Sequence, residues 1–214
     1  MPAARATPPE TTRPRRSEQS AATRRAILDA ALDEFATRGF AACRLDDVAR
    51  RAKVAKGTIY VHFRDKETLF EELVRTSLGP FIAGFETARA SEMPLRAFAE
   101  TLVDAFVREI YGTRRKDVLR LIMTEGGRFP QLAHIYYREV VSRALVVLRR
   151  VTKRAIERGE IRSDALLRFP QLLVAPALMA VTWDALFSRF EPLDVAALMR
   201  THLEVLFAAL EKPQ

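Results

Sequence analysis

Residues Lys56-Gly57-Thr58-Ile59-Tyr60-Val61-His62 carry the densest interaction chemistry in this chain. Stepped at about 100° per residue with Ile59 turned inward, they place Gly57 and Val61 opposite the core. Thr58 and Tyr60 then flank that outer face, and Lys56 and His62 sit near its edges. A face this small can come close to base edges in a DNA groove, where a Thr hydroxyl donates or accepts and a Val isopropyl meets a thymine methyl. Lys56, Tyr60 and His62 suit phosphate oxygens, as do Arg44 upstream and Lys66 in the first turn of the next helix. Phosphate contacts position such a unit; only the surface of Gly57, Thr58 and Val61 is built to read sequence. The plainer alternative makes 44–63 two core helices with solvated charges, which leaves that small outer face without a purpose.

The elements that hold this face follow from hydrophobic spacing. A helix over about 45–52 buries Leu45, Val48 and Ala49, the small Ala49 suiting close helix packing. A helix over 56–63 buries Ile59 and Phe63, one turn apart. The turn at Lys53 asks for positive φ, a position that usually takes Gly and costs another residue roughly 1 kcal/mol. Upstream, 20–38 reads as a helix with Ile27, Ala30, Ala31, Leu32 and Phe35 on one face, closed by Gly39 before Phe40 re-enters the core. Downstream, Asp65 caps a fourth helix striped by Leu69, Phe70, Leu73 and Val74, which Gly79-Pro80 should bend or interrupt.

Charge is concentrated on the same unit. The chain has 214 residues and a formal net charge of +8, and eight basic residues face three acidic ones between Arg38 and Lys66. Such a balance favours an anionic partner. Residues 1–19, rich in Pro, Arg and Thr, read as a disordered basic arm whose Arg13, Arg15 and Arg16 could reach a minor groove or phosphates. A single cysteine, Cys43, excludes an internal disulfide and a Cys-based zinc site, and fits a reducing cytoplasm. No apolar signal core opens the sequence, and no run approaches the ~18 apolar residues of a membrane span.

Beyond Pro80 the pattern stays helical, over about 81–90, 94–111, 114–124, 131–158, 164–188 and 194–211, with no period-2 strand. The expectation is an all-α chain of about nine helices. It comprises the arm 1–19, a three-helix helix–turn–helix head over 20–81 with its motif at 44–63, and a larger body over 82–214. Three scattered histidines with no HExxH pair, and no GxSxG, phosphate loop or GxGxxG, point away from catalysis, metals and cofactors. Phe98, Leu102, Met123, His134 and Tyr137 are candidate lining for an apolar small-molecule pocket.

The head TRRAILDAALDEFATRGF, LDDVARRAKV and KGTIYVHFRDKETLFEELV resembles the DNA-binding domain of TetR-family transcriptional regulators over about 21–81. The run KGTIYVHF followed by Lys66-Glu67 is its most specific part. The resemblance assigns DNA contacts to Thr58, Tyr60, His62 and Lys66. It departs from the family at Lys53 for Gly, at Ala55 for Ser, and at Cys43-Arg44 where Thr or Ser commonly precedes the second helix; Arg44 could supply the lost phosphate contact. The segments LRLIMTEGGRFPQLAHIYYREV and SRFEPLDVAALMRTHLEVLF are similar to the C-terminal domains of AefR-like members. What the resemblance implies is a cytoplasmic repressor, released from a palindromic double-stranded DNA operator by a small apolar or aromatic effector. It also implies a homodimer, for which 164–188, apolar nearly all round, and 194–211 offer the surface. The rival reading is a DNA-binding structural protein without small-molecule control.

Overall fold

The computed structural model describes residues 13–87 and 92–210, and among these no strand forms. The helices are α1 (Arg13–Ala42), α2 (Leu45–Arg51), α3 (Lys56–His62), α4 (Lys66–Phe85) and α5 (Leu95–Ala105), the last continued by a π-helical turn, Phe106–Tyr111. There follow α6 (Arg115–Glu125), α7 (Pro130–Tyr136), a second π-helical turn (Tyr137–Val141), and α8 (Ser142–Glu157). A short α9 (Ala165–Arg168), a 3-10 turn (Pro170–Leu173), α10 (Ala175–Phe187) and α11 (Val195–Leu210) complete the described chain. Two compact units meet in sequence at Leu69/Phe70, inside α4. The sequence had suggested a boundary after residue 81.

In the first unit Ile27, Ala31, Leu32 and Phe35 of α1 are buried as their spacing requires. Gly39 adopts φ 74°, ψ 166°, which turns the chain so that Phe40 packs on Phe35 with ring centroids 5.4 Å apart. Glu34, nearly fully buried, ties α1 to α2: its carboxylate accepts from Arg51 Nε at 2.7 Å and lies 3.2 Å from Arg38 Nε. Lys53 sits at φ 56°, the conformation expected of the turn. Its amide donates to Arg50 O, and that of Val54 donates to Ala49 O at 3.0 Å. Lys53→Gly should therefore stabilise the chain by about 0.5–1 kcal/mol, strain relief exceeding the flexibility gained when unfolded. Thermal unfolding checks this; a lower Tm would mean the lysine carries no strain there.

Three expectations need correcting. Helix α1 begins at Arg13 rather than near residue 20, because nothing between Pro14, which a first turn tolerates, and Gly39 breaks a helix. Residues 1–12 of the expected arm lie outside the described residues. Helix α4 runs through Gly79 and Pro80 without interruption. Leu78 and Ile82, on either side of Pro80, are both buried. At about 1.5–3 kcal/mol each, their burial offsets the ~3 kcal/mol cost of an interior proline. The expected single helix over 164–188 is in fact three pieces. Pro170 pushes Phe169 to φ −126°, ψ 67°, and Pro176 lies in the first turn of α10 after a turn at Val174.

In the second unit α5, α8 and α11 supply much of the core, through Phe98, Val103, Leu148, Val151, Leu203 and Phe207. The Arg96 guanidinium lies 4.6 Å from the Phe207 ring centroid, and Arg200 pairs with Asp104 at 2.9 Å. Asp184 of α10 is a second hub, reached by Tyr111 Oη at 3.1 Å, Arg120 Nη2 at 2.9 Å and Lys116 Nζ at 3.1 Å. Burial alone would raise its carboxyl, but the Lys116 and Tyr111 hydrogen bonds and the Lys116 and Arg120 charges hold it below the usual range.

Candidate nucleic-acid interface and apolar cavity

Helix α3 stands in the register its sequence predicts. Ile59 is fully buried, Val61 is 83% exposed, and a Cβ added at exposed Gly57 would meet nothing within 4 Å. Thr58 and His62 are half-buried, and Tyr60 is exposed. The outer face is thus small and open, with its hydroxyls at the margin.

The surrounding cations differ in how far they are already engaged. Arg44 is exposed in extended backbone just before α2, makes no capping bond, and has no ionic partner among the described residues; Lys53 has none either. Lys56, by contrast, donates to Asp46 Oδ2 at 2.7 Å, and Tyr60 donates to Oδ1 of the same carboxylate at 3.2 Å. The Lys56 hydrogen bond, aided by that lysine's charge and the Tyr60 hydroxyl, holds the Asp46 carboxyl below its ordinary range. Lys66 is committed to the fold: its ammonium donates to Phe40 O at 2.9 Å and Ala41 O at 3.0 Å and lies 4.6 Å from the Phe40 ring centroid. Asp65 caps α4 by accepting from the Thr68 amide at 2.7 Å. What the start of α4 offers an anion is its first free amides rather than the lysine charge. Cys43 is inert, its thiol pushed up to about 11 by burial.

Asp46 was not among the residues singled out from sequence, and it makes a sharp test. With Lys56 neutralised by Asp46, that lysine releases no counterion on meeting a phosphate. Asp46→Asn should raise affinity for random duplex DNA and steepen the plot of log K against log salt by about 0.9. Titrations at several salt concentrations measure this; an unchanged slope would mean that Lys56 reaches no phosphate.

The second unit contains a partly open cavity of about 330 Å³. Phe81 and Ile82 of α4 form one wall, Leu102 and Phe106 another, and Val140 and Val141 a third. Both π-helical turns therefore border it. Such turns, with their extra residue, commonly mark functional sites. Among the described lining side chains only Tyr136 and Gln171 are polar, and none is charged. A side cavity of about 70 Å³ shares Phe81, Ile82, Leu102, Ala144, Leu148 and Val174 with it and extends to Phe85 and Phe98.

Of the five expected lining residues, Leu102 lines both spaces and Phe98 only the smaller one. Met123, His134 and Tyr137 line neither. Met123 sulfur accepts from the Thr182 hydroxyl at 3.6 Å, and His134 and Tyr137 are exposed. Helix α7 turns Leu132 and Ile135 inward, which leaves 134 and 137 outside; Tyr136, next to the residue chosen, is the one that lines the cavity. The stripe Tyr136, Val140, Ala144, Leu148 was the sequence signal for that wall. Trp183 lines neither space: its indole N–H donates to Glu191 O at 2.8 Å. Leu178, Met179, Leu186 and Phe187 of α10 and Val205 of α11 are exposed.

Comparison with known proteins places both units. Residues 27–73 match the family profile described as bacterial regulatory proteins, tetR family, and residues 94–204 match the one described as tetracyclin repressor-like, C-terminal domain. The transcriptional regulator SrpR of Pseudomonas putida is 26% identical over 139 residues, 65% of this chain and 63% of that protein, so the chain spans less than two thirds of that relative's length. Among solved structures, the SmeT–triclosan complex superposes with a TM-score of 0.74 at 22% identity, covering 88% of this chain and 91% of that one. SmeT is the repressor of the Stenotrophomonas maltophilia multidrug efflux pump SmeDEF. The Bacillus subtilis regulator FadR in complex with stearoyl-CoA superposes with a TM-score of 0.71 at 23% identity, over 86% of this chain and 97% of that one. These likenesses at low identity establish the fold.

Proposed function

This chain belongs to the TetR family of bacterial regulatory proteins, and we propose that it is a cytoplasmic transcriptional repressor that binds a near-palindromic operator as a homodimer and is released by a small apolar or aromatic effector. The observation that carries this reading is helix α4. Its first turn is fastened in the DNA-binding unit by the Asp65 cap and the Lys66 clamp on Phe40 and Ala41. Its other end, at Leu78, Phe81 and Ile82, lines the cavity. One uninterrupted helix thus joins the two functions, and a ligand that moves its far end acts on the head through it.

Phosphate contacts fall to Arg44, Lys56, Tyr60, His62 and the amides opening α4, and base reading to Gly57, Thr58 and Val61. The apolar faces of α10 and α11 would pair with a second copy and set two heads about one helical turn of DNA, ~34 Å, apart. The effector shifts this equilibrium only by its difference in affinity for the two states. The ligands of SmeT and FadR, triclosan and stearoyl-CoA, support an effector role for the cavity and leave this chain's own effector to be found. Linkage supplies the test: a cavity ligand that weakens operator binding by some factor must itself bind more weakly, by the same factor, to the operator-bound protein. A ligand bound in the cavity with no effect on operator affinity would refute the regulatory half of the proposal.

A further inference from the structure

The lining chemistry narrows the effector further. Resting on the effector role just proposed, we infer that the cavity and its side branch hold one uncharged, elongated lipophile whose hydrogen-bond-accepting oxygen meets the Tyr136 hydroxyl. The absence of charge decides the first point. Among the described lining residues there is no cation to meet a carboxylate or phosphate and no carboxylate to meet an ammonium. A charged group drawn inside from water loses its hydration and gains no counter-charge, a penalty that apolar contact does not recover.

Shape decides the second point. Six residues, Phe81, Ile82, Leu102, Ala144, Leu148 and Val174, line both the main cavity and the smaller space toward Phe85 and Phe98. The two spaces are therefore neighbours, and an occupant longer than the main cavity would extend toward Phe85 and Phe98 past Ala144, the smallest side chain on the shared wall. The main volume is at the lower end of the ~300–1,000 Å³ usual for ligand sites, so the occupant is slender.

Tyr136 decides the third. Its hydroxyl has no hydrogen-bond partner among the described residues, and burial pushes its ionisation up to about 12, so it stays a neutral donor. Gln171 is exposed as well as lining the cavity, and is the only other polar side chain among the described lining residues. A ketone, ester or lactone oxygen gives the Tyr136 hydroxyl a direct acceptor, which a pure hydrocarbon cannot, and this favours the oxygenated ligand.

Calorimetry on the full chain with 2-decanone, decanoate and decylammonium tests all three points. The ketone should bind at least about tenfold more tightly than either ion. Tyr136→Phe should weaken the ketone about three- to tenfold. Ala144→Phe should shift the preferred ketone to a shorter chain while the fold, followed by circular dichroism, is unchanged. Decanoate or decylammonium binding as tightly as the ketone, no effect of Tyr136→Phe, or an unaltered chain-length preference in Ala144→Phe would each overturn the inference. The operator reports separately: if decanoate proves the tighter ligand and still releases DNA, the ligand class is wrong and the repressor reading stands. If the ketone binds as described and operator affinity does not change, the reverse holds.

Discussion

Val61→Glu should abolish specific DNA binding while leaving the fold intact. The side chain is 83% exposed on the outer face of α3 and contributes nothing to the core, so its replacement costs little stability. In the proposed docking the same position faces base edges beneath two phosphate backbones. A carboxylate there meets like charge and loses hydration without a partner, and like-charge juxtaposition of this kind costs several kcal/mol. Operator affinity should fall by roughly 100-fold or more with an unchanged Tm. Thr58→Ala, which removes a hydroxyl and keeps the charge pattern, should instead alter base preference while sparing most of the phosphate-driven affinity. If Val61→Glu bound the operator as the parent does, α3 would not be the reader.

The second large effect is expected from Leu186→Glu combined with Val205→Glu. These side chains are 57% and 67% exposed on α10 and α11, and large apolar groups left open in one copy are the material of an interface between two. Burying two carboxylates in such an interface, each facing its symmetry mate, should drive the protein to monomer on sedimentation. A monomer offers one head per operator, so affinity for the full site should fall toward that for a half-site, roughly 100-fold or more, because the second head no longer binds as part of the same molecule. A double variant that stays dimeric would move the interface off these helices.

The head was more legible than the body, for physical reasons. Ile59 within α3 and Phe63 just after it are the large apolar residues suited to the core, so one register satisfied the whole segment, and Val61 and Gly57 then had to face out. The turn's demand for positive φ at Lys53 was equally readable, because chain reversal between two short helices leaves few backbone solutions. What escaped was pairing between elements. Asp46 had no helix-local reason to meet Lys56 and Tyr60, and Lys66 looked like a free cation until the carbonyls of Phe40 and Ala41 came within reach.

In the body, Tyr136 lines the cavity where Tyr137 was expected, because α7 turns Leu132 and Ile135 inward. The i, i+4 stripe Tyr136, Val140, Ala144, Leu148 is the feature that separates the two adjacent tyrosines. Proline misled in both directions. Pro80 lies within a helix whose flanking residues are buried, whereas Pro170, where no such burial holds Phe169, ends one. Local preference predicts a break; packing decides whether it occurs.

Selection of bound sequences from random DNA duplexes by the full chain tests the central claim most directly. The account predicts an enriched near-palindrome whose half-sites lie about one helical turn apart, lost in Val61→Glu. Enrichment of a single unrepeated site, or of no sequence at all, would contradict it.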